Sequence, residues 1–165
     1  MGEKPVVIGQ IGCGYWGPNL LRAFRATDGC VVKWVAEESE ARRRFVQRTF
    51  PGVAVAETHE EVLADDDVDA IVLATPASGH YDLTRLTLDA GKHVLVEKPL
   101  AMRAVDAAAV AQSAVDRDLT LMVGHVIGVD QHVFGRVVAG RRQRELQRQR
   151  DDQFVVVVEI EHKAF

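Results

Sequence analysis

The stretch Ile8–Leu21, IGQIGCGYWGPNLL, decides how the rest of the chain is read. Val6 to Ile11 is a short apolar run, consistent with a buried parallel strand. It stops at a turn with glycines at 12, 14 and 17. Pro18 then stands where a helix begins, which suits its fixed φ and missing N–H. Leu20, Leu21 and Phe24 follow at helical spacing. A G-x-G-x-x-G string is weak evidence alone. Between a strand and a helix it has the setting that holds a pyrophosphate. Gly12 permits the tight turn, Gly14 lets phosphate approach the backbone, and Gly17 lets helix and strand pack closely. The helix start offers free N–H groups and the positive end of its dipole. The alternative is a glycine turn with no ligand.

Downstream, strand and helix patterns alternate. Strands are expected at 31–36, 53–55, 70–74, 93–96 and 119–123, and helices at 40–50, 80–90 and 104–115. Thr58 with Glu61 three positions on reads as a capping box for a further short helix. Short connections and six strands predict a doubly wound α/β domain with a parallel sheet. In such a sheet the strand ends share one rim, where ligands bind. Gly12–Gly17, Glu37, Thr75, Glu97-Lys98 and His125 all fall just after expected strand ends.

Glu37 ends the second strand, 20 residues after Gly17, near the spacing of a ribose-binding acid. Its carboxylate can accept from both adenosine ribose hydroxyls. With Glu38 it would repel a 2′-phosphate, so NAD is expected over NADP. Arg42, Arg43 and Arg44 are the reservation, since they could reach round to that phosphate. Glu37 could also be a solvated residue near a helix start. Thr75-Pro76 leaves the fourth strand with small neighbours that let adenosine and ribose lie against the backbone. His80 is either part of that surface or only a first-turn helix residue. In HVLVEKPLAM, His93–Met102, Pro99 disfavours αR at Lys98 and permits a cis bond. Lys98 is therefore held in a restrained turn, where it can donate a proton or polarise a substrate hydroxyl. A surface lysine on a turn is the alternative.

The 165 residues are 47% hydrophobic and 27% charged, with a net charge of −4, as in an ordinary soluble globular protein. That charge gives no reason to expect nucleic acid or an anionic membrane as partner. No apolar run approaches the roughly 20 residues that span a bilayer. MGEKPVVIGQ does not read as a signal peptide. The two cysteines, Cys13 and Cys30, make neither a disulfide framework nor a metal site. A reduced, cytoplasmic protein is the simplest expectation.

Four strings, GCGYWGPN (12–19), ATPASGH (74–80), AGKHVLVEKPLA (90–101) and LMVGH (121–125), together resemble the nucleotide-binding half of the Gfo/Idh/MocA oxidoreductases, the glucose–fructose oxidoreductase and inositol dehydrogenase group. The resemblance covers Val6 to His125. It implies a Rossmann domain over 1–125 and hydride transfer between a nicotinamide and a sugar, nucleotide-sugar or cyclitol hydroxyl. It suggests Gly12, Gly14, Tyr15, Trp16 and Gly17 at the pyrophosphate and Glu37 on the adenosine ribose. Thr75, Pro76 and His80 would lie along the dinucleotide, with Glu97 near the nicotinamide ribose. Lys98 matches the family's catalytic lysine, and His125 lies near the nicotinamide. No metal is implied. Methyltransferases that use S-adenosylmethionine share the glycine turn and the acid, but the later strand ends argue against them.

Family members are about twice this length, and their second α/β domain supplies the substrate pocket, a further catalytic histidine and the oligomer interface. Here residues 126–165 form an atypical extension. An arginine-rich segment, 135–150, precedes a strong strand pattern at Phe154–Ile160 that invites addition to a sheet edge or a homodimer. His132 and His162 sit in no family-like motif. A natural short form, a truncated product and a gene interrupted near Val126 are the three explanations. Two function classes follow: an NAD-dependent oxidoreductase, and an NAD-binding module without turnover.

Overall fold

The computed structural model of the chain describes residues 4–124. His125, the boundary drawn there, the segment 135–150 and the expected strand 154–160 lie outside those residues. The described elements run β1 (Val6–Ile11), α1 (Gly17–Arg25), β2 (Cys30–Ala36), α2 (Glu40–Thr49), β3 (Ala54–Ala56), α3 (His59–Leu63), β4 (Ala70–Leu73), a 3-10 turn (Ala77–Gly79), α4 (His80–Asp89), β5 (His93–Glu97), α5 (Ala104–Asp116) and β6 (Leu121–Gly124). The six strands form one sheet in the order β3-β2-β1-β4-β5-β6, every pair parallel. This is the expected doubly wound Rossmann-type architecture. The chain builds outward from β1 through β2 to β3, then crosses back to β4 on β1's other side. The strand order therefore reverses between β1 and β4, where a crevice opens at the carboxyl ends.

Helices cover both faces, so the central strands carry apolar side chains on both sides, and all four residues of β4 are buried. Gly17, Leu20, Leu21 and Phe24 make one buried stripe along α1. Leu20, Leu21 and Phe24 share a core with Val6, Ile8 and Val35 of the sheet and with Val46 and Phe50 of the α2 region. On the other face, Val62, Leu88, Val110 and Ala114 bring α3, α4 and α5 onto Ile71, Leu73 and Val94. α3 comes very close to β1: a Cβ on Gly9 would run into Val62 Cγ1.

The β1–β2 ladder slips between Ile8 and Gly9, so Lys33 has no partner on β1. A bulge of this kind redirects side chains. Here Lys33 Nζ lies 2.6 Å from Asp65 Oδ2 and 2.9 Å from Asp67 Oδ2. Trp34 Nε1 donates to the same Asp65 oxygen at 2.6 Å. These bonds, Lys33's first, pull the Asp65 carboxyl from its ordinary 3.8 to about 2. A folded-state value below the ordinary one contributes stability above about pH 4, and that contribution is lost as pH falls through about 2. Asp65→Asn is expected to lower the urea midpoint at pH 7 and to flatten its decline between pH 4 and pH 2. Parallel curves for variant and wild type over that interval would sink this account.

Two local expectations are corrected. The Thr58–Glu61 capping box does not form: α3 has five residues and Thr58 makes no side-chain cap bond. Its side chain bonds Glu60 instead, which lowers that carboxyl's pKa. β6 starts at Leu121 rather than Leu119. Leu119 N–H is taken by Ala114 O at the end of α5, and Thr120 N–H by the His93 ring, so both are committed before the regular strand begins.

Candidate functional site

The glycine turn is held from three sides. Gly12 N–H donates to Ala36 O at 2.8 Å, which ties the end of β1 to the end of β2. Gly12 has φ +88°, in the left-handed region. A Cβ there would meet the Ala74 carbonyl oxygen at 2.6 Å, so β1 and the β4 exit approach each other through the missing side chain. Cys13 N–H donates to Glu37 Oε2 at 2.7 Å, and Cys13 O accepts from Arg42 Nη1 at 3.1 Å. The N–H groups that follow open α1 and have no carbonyl four residues back within the helix.

Glu37 does more than end β2. Its second oxygen, Oε1, accepts Ser39 N–H at 3.0 Å, so the carboxylate joins the glycine turn to the start of α2. Each oxygen has two acceptor sites, which leaves capacity for further hydroxyl donors. The three arginines separate. Arg42 faces the glycine turn. Arg43 donates to the carbonyls of Glu37 and Glu38, both at 2.7 Å, and pairs with Glu57 at 3.5 Å. Arg44 pairs with Glu40 on the exposed side of α2. Successive helical residues are about 100° apart, so the three guanidinium groups serve three surfaces.

A cleft of about 800 Å³ lies over the carboxyl ends of β1 to β4. Of the residues expected at the site, Gly12, Gly14, Glu37, Thr75 and Pro76 line it. A Cβ on Gly14 would meet only Arg42 Nη1, at 3.2 Å. The middle glycine thus leaves backbone bare towards the cleft. Thr75 Oγ1 is buried and has no partner among the described residues. Sequence reasoning missed the wall from Glu57 to Glu60, which lines the cleft from the β3–α3 connection. A capping pattern was the only signal there, and it pointed to the helix rather than to the cleft.

The other expected residues among those described do not line this cleft. Tyr15 is 89% exposed and Trp16 47%; their rings meet edge to face at 5.6 Å on the outer lip of the turn. Gly17 packs inward: a Cβ there would lie 3.2 Å from Gly12 O and 3.3 Å from Cys13 Sγ. His80 is 1% exposed. Its Nδ1 lies 2.7 Å from Pro99 O and its Nε2 2.9 Å from Thr75 O, so one ring joins the β4 exit to the β5 exit. Lys98 is exposed and is joined to Pro99 by a cis peptide. Glu97 ends β5 beside Gly124, whose Cβ would stand 3.4 Å from Glu97 Oε1. Cys13 is buried. Desolvation, and then the Glu37 charge, push its thiol up to about 11, so it is no ready nucleophile.

A left-handed glycine, a bare second glycine, an open helix start and an acid at the tip of β2 all converge on one crevice at the switch point. Residues 6–125 match the Gfo/Idh/MocA oxidoreductase family, NAD-binding Rossmann fold. The chain belongs to this family. The methyltransferase alternative falls away with that match. Among curated relatives, the chain is 32% identical over 136 residues to the 4-carboxy-2-hydroxymuconate-6-semialdehyde dehydrogenase of Sphingobium sp., covering 81% of this chain and 43% of the relative. Among solved structures, it is similar to a variant of KijD10, a 3-ketoreductase from Actinomadura kijaniata in complex with TDP-benzene and NADP. That match has 33% identity and a TM-score of 0.68, over 73% of this chain and 38% of the other. It is also similar to GenD2 from gentamicin A biosynthesis in complex with NAD, with 31% identity and a TM-score of 0.70, over 73% and 34%. The chain therefore spans less than half the length of these Gfo/Idh/MocA relatives. What it carries is their NAD-binding Rossmann domain. No helix among the described residues is long and apolar enough to cross a membrane.

Proposed function

We propose that this chain binds NAD, in preference to NADP, as the nucleotide-binding part of a cytoplasmic oxidoreductase acting on a hydroxyl of a sugar, nucleotide-linked sugar or cyclitol. The observation that carries the reading is Glu37, bonded to the glycine turn through Cys13 N–H at 2.7 Å and lining the same cleft as Gly12 and Gly14. The bare turn receives the pyrophosphate at the start of α1, flanked by Tyr15 and Trp16. Glu37 accepts the adenosine ribose hydroxyls. Glu38 beside it adds a second negative charge against a 2′-phosphate, while Arg42 alone of its run faces the cleft with a positive one. Thr75 and Pro76 give the opposite wall, and His80 holds that wall to the Lys98–Pro99 turn. A bound nicotinamide supplies a hydride acceptor or donor. Lys98 holds the proton that the substrate oxygen gives up or takes, and Glu97 orients the neighbouring ribose.

The second reading is an NAD-binding module without turnover. Lys98 favours it, because that side chain is exposed and is not among the residues that line the cleft. Both readings require the cofactor. Titration of the full chain with NADH and NADPH, followed by energy transfer from Trp16 and Trp34, is the test. Saturable NADH binding is expected with Kd between about 1 μM and 1 mM, the span over which enzyme KM values commonly fall. NADPH should bind at least about tenfold more weakly, since unpaired like charges oppose it. No saturable signal from either nucleotide would remove both readings.

A further inference from the structure

The geometry points to Gln10 as the positioning residue that sets the shape of the pyrophosphate turn, an inference that rests on the dinucleotide reading above. Gln10 lies in β1 and is 1% exposed. A buried amide is costly unless it is hydrogen-bonded. Gln10 directs both of its N–H donors at the glycine turn: Nε2 reaches Gly12 O at 2.8 Å and Gly17 O at 3.2 Å. The first carbonyl lies where β1 ends and the second where α1 begins. One side chain thus spans the turn and fixes the separation of its two ends. The orientation of the amide is not ambiguous, because the flipped form would set its oxygen against two carbonyl oxygens. In the orientation adopted, Gln10 Oε1 is buried without a partner among the described residues.

That combination is informative. An orphaned acceptor is unfavourable, so the amide does not serve the core well as a filler. A side chain of similar volume without polar atoms would remove that orphan, and would leave the Gly12 and Gly17 carbonyls without the amide donor. The advantage of Gln10 lies in what Nε2 does to the turn. Gly17 fits the same account: a Cβ there would stand 3.0 Å from Gln10 Nε2, so the third glycine makes room for the clamp as well as for helix–strand packing. With the two ends fixed, the N–H groups at the start of α1 are oriented before a ligand arrives, and little ordering is left to the moment of binding.

The test uses the full chain with Gln10→Met and Gln10→Leu, both close in volume and both lacking the donors. Thermal unfolding is measured beside binding of NADH, ADP-ribose and adenosine. The first two carry the pyrophosphate; adenosine does not. Melting temperatures are expected to fall by no more than about 5 °C, because removal of the orphaned Oε1 offsets much of the cost of leaving the two carbonyls without the amide. Kd for NADH and for ADP-ribose should rise about tenfold, the loss of roughly one net hydrogen bond's worth of orientation. Adenosine should bind as it does to wild type. Unchanged NADH binding overturns the inference. An equal loss for all three ligands, or failure of both variants to fold, assigns Gln10 a structural role and overturns it as well. If wild type binds adenosine but neither NADH nor ADP-ribose, or binds none of the three, the dinucleotide reading itself fails and takes the clamp with it.

Discussion

Gly12→Ala is expected to abolish measurable NADH binding and to lower the melting temperature by about 10 °C, a loss of roughly 3 kcal/mol or more. Two costs add. The backbone at Gly12 has φ +88°, where an L-residue with a Cβ is disfavoured by about 1–2 kcal/mol. The added methyl would also stand 2.6 Å from Ala74 O and 2.9 Å from Ala74 C, which are backbone atoms rather than the far end of a flexible side chain. Ala74 cannot easily withdraw, because its own N–H is bonded to Ile11 O at 2.8 Å. Relief must therefore come from parting β1 and β4 where the cleft opens, so stability and binding fall together. Gly14→Ala is the control. Its methyl would meet only Arg42 Nη1 at 3.2 Å, which can swing aside. That variant should melt like wild type but bind NADH more weakly, because its methyl occupies the bare approach. Circular dichroism melts and NADH titrations of both variants are the measurements. A Gly12→Ala protein with wild-type melting and binding would mean that the turn does not have this conformation.

The second large effect is expected at Glu37. Glu37→Ala removes the acceptor for Cys13 N–H and Ser39 N–H along with the proposed ribose contact. Hydrogen bonds to a charged group contribute about 1.5–3 kcal/mol each, so a loss of about 30- to 100-fold in NADH affinity is expected. Glu37→Gln keeps one acceptor oxygen and should fall between the two. NADPH should respond differently. Without the carboxylate, the repulsion of a 2′-phosphate is reduced while Arg42 stays in the cleft wall, so NADPH should lose less affinity than NADH, or gain. Titration of both nucleotides against wild type, Ala and Gln variants separates the roles. An equal fall for the two nucleotides would show that Glu37 only ties the turn to α2 and does not select the cofactor.

Much of this arrangement was legible in the sequence because it rests on local patterns. Apolar strand runs, helical spacing in α1 and the glycine turn between them identify β1–α1, and the spacing to Glu37 identifies the acid at the end of β2. What was not legible depends on side chains that reach across the fold. Gln10 reads only as a polar interruption in a strand; its meaning appears when α1 brings Gly17 O over it. His80 reads as a first-turn helix residue or a dinucleotide contact, and nothing nearby announces that its ring reaches Pro99, 19 positions on. Arg42, Arg43 and Arg44 read as one basic run until the helix turns them onto three different surfaces. The start of β6 was misjudged because Leu119 and Thr120 have strand-like composition, while α5 and His93 take their N–H groups.

The strand order also has a meaning in time. All the residues that line the cleft lie between Ile11 and Leu83, yet its two sides meet across the β1–β4 pair, where Val7 bonds to Asp69, 62 positions away. On a ribosome releasing about 5–20 residues per second, β1, α1 and β2 emerge first and wait some seconds with one edge of β1 unpaired. The glycine turn gains its fixed opposite wall only when β4 docks; β5, α5 and β6 emerge afterwards and buttress a cleft already outlined. A nascent chain at that stage would have an open β1 edge beside an unfinished cleft, and any ligand that bridges the glycine turn and the β4 exit would favour its closure.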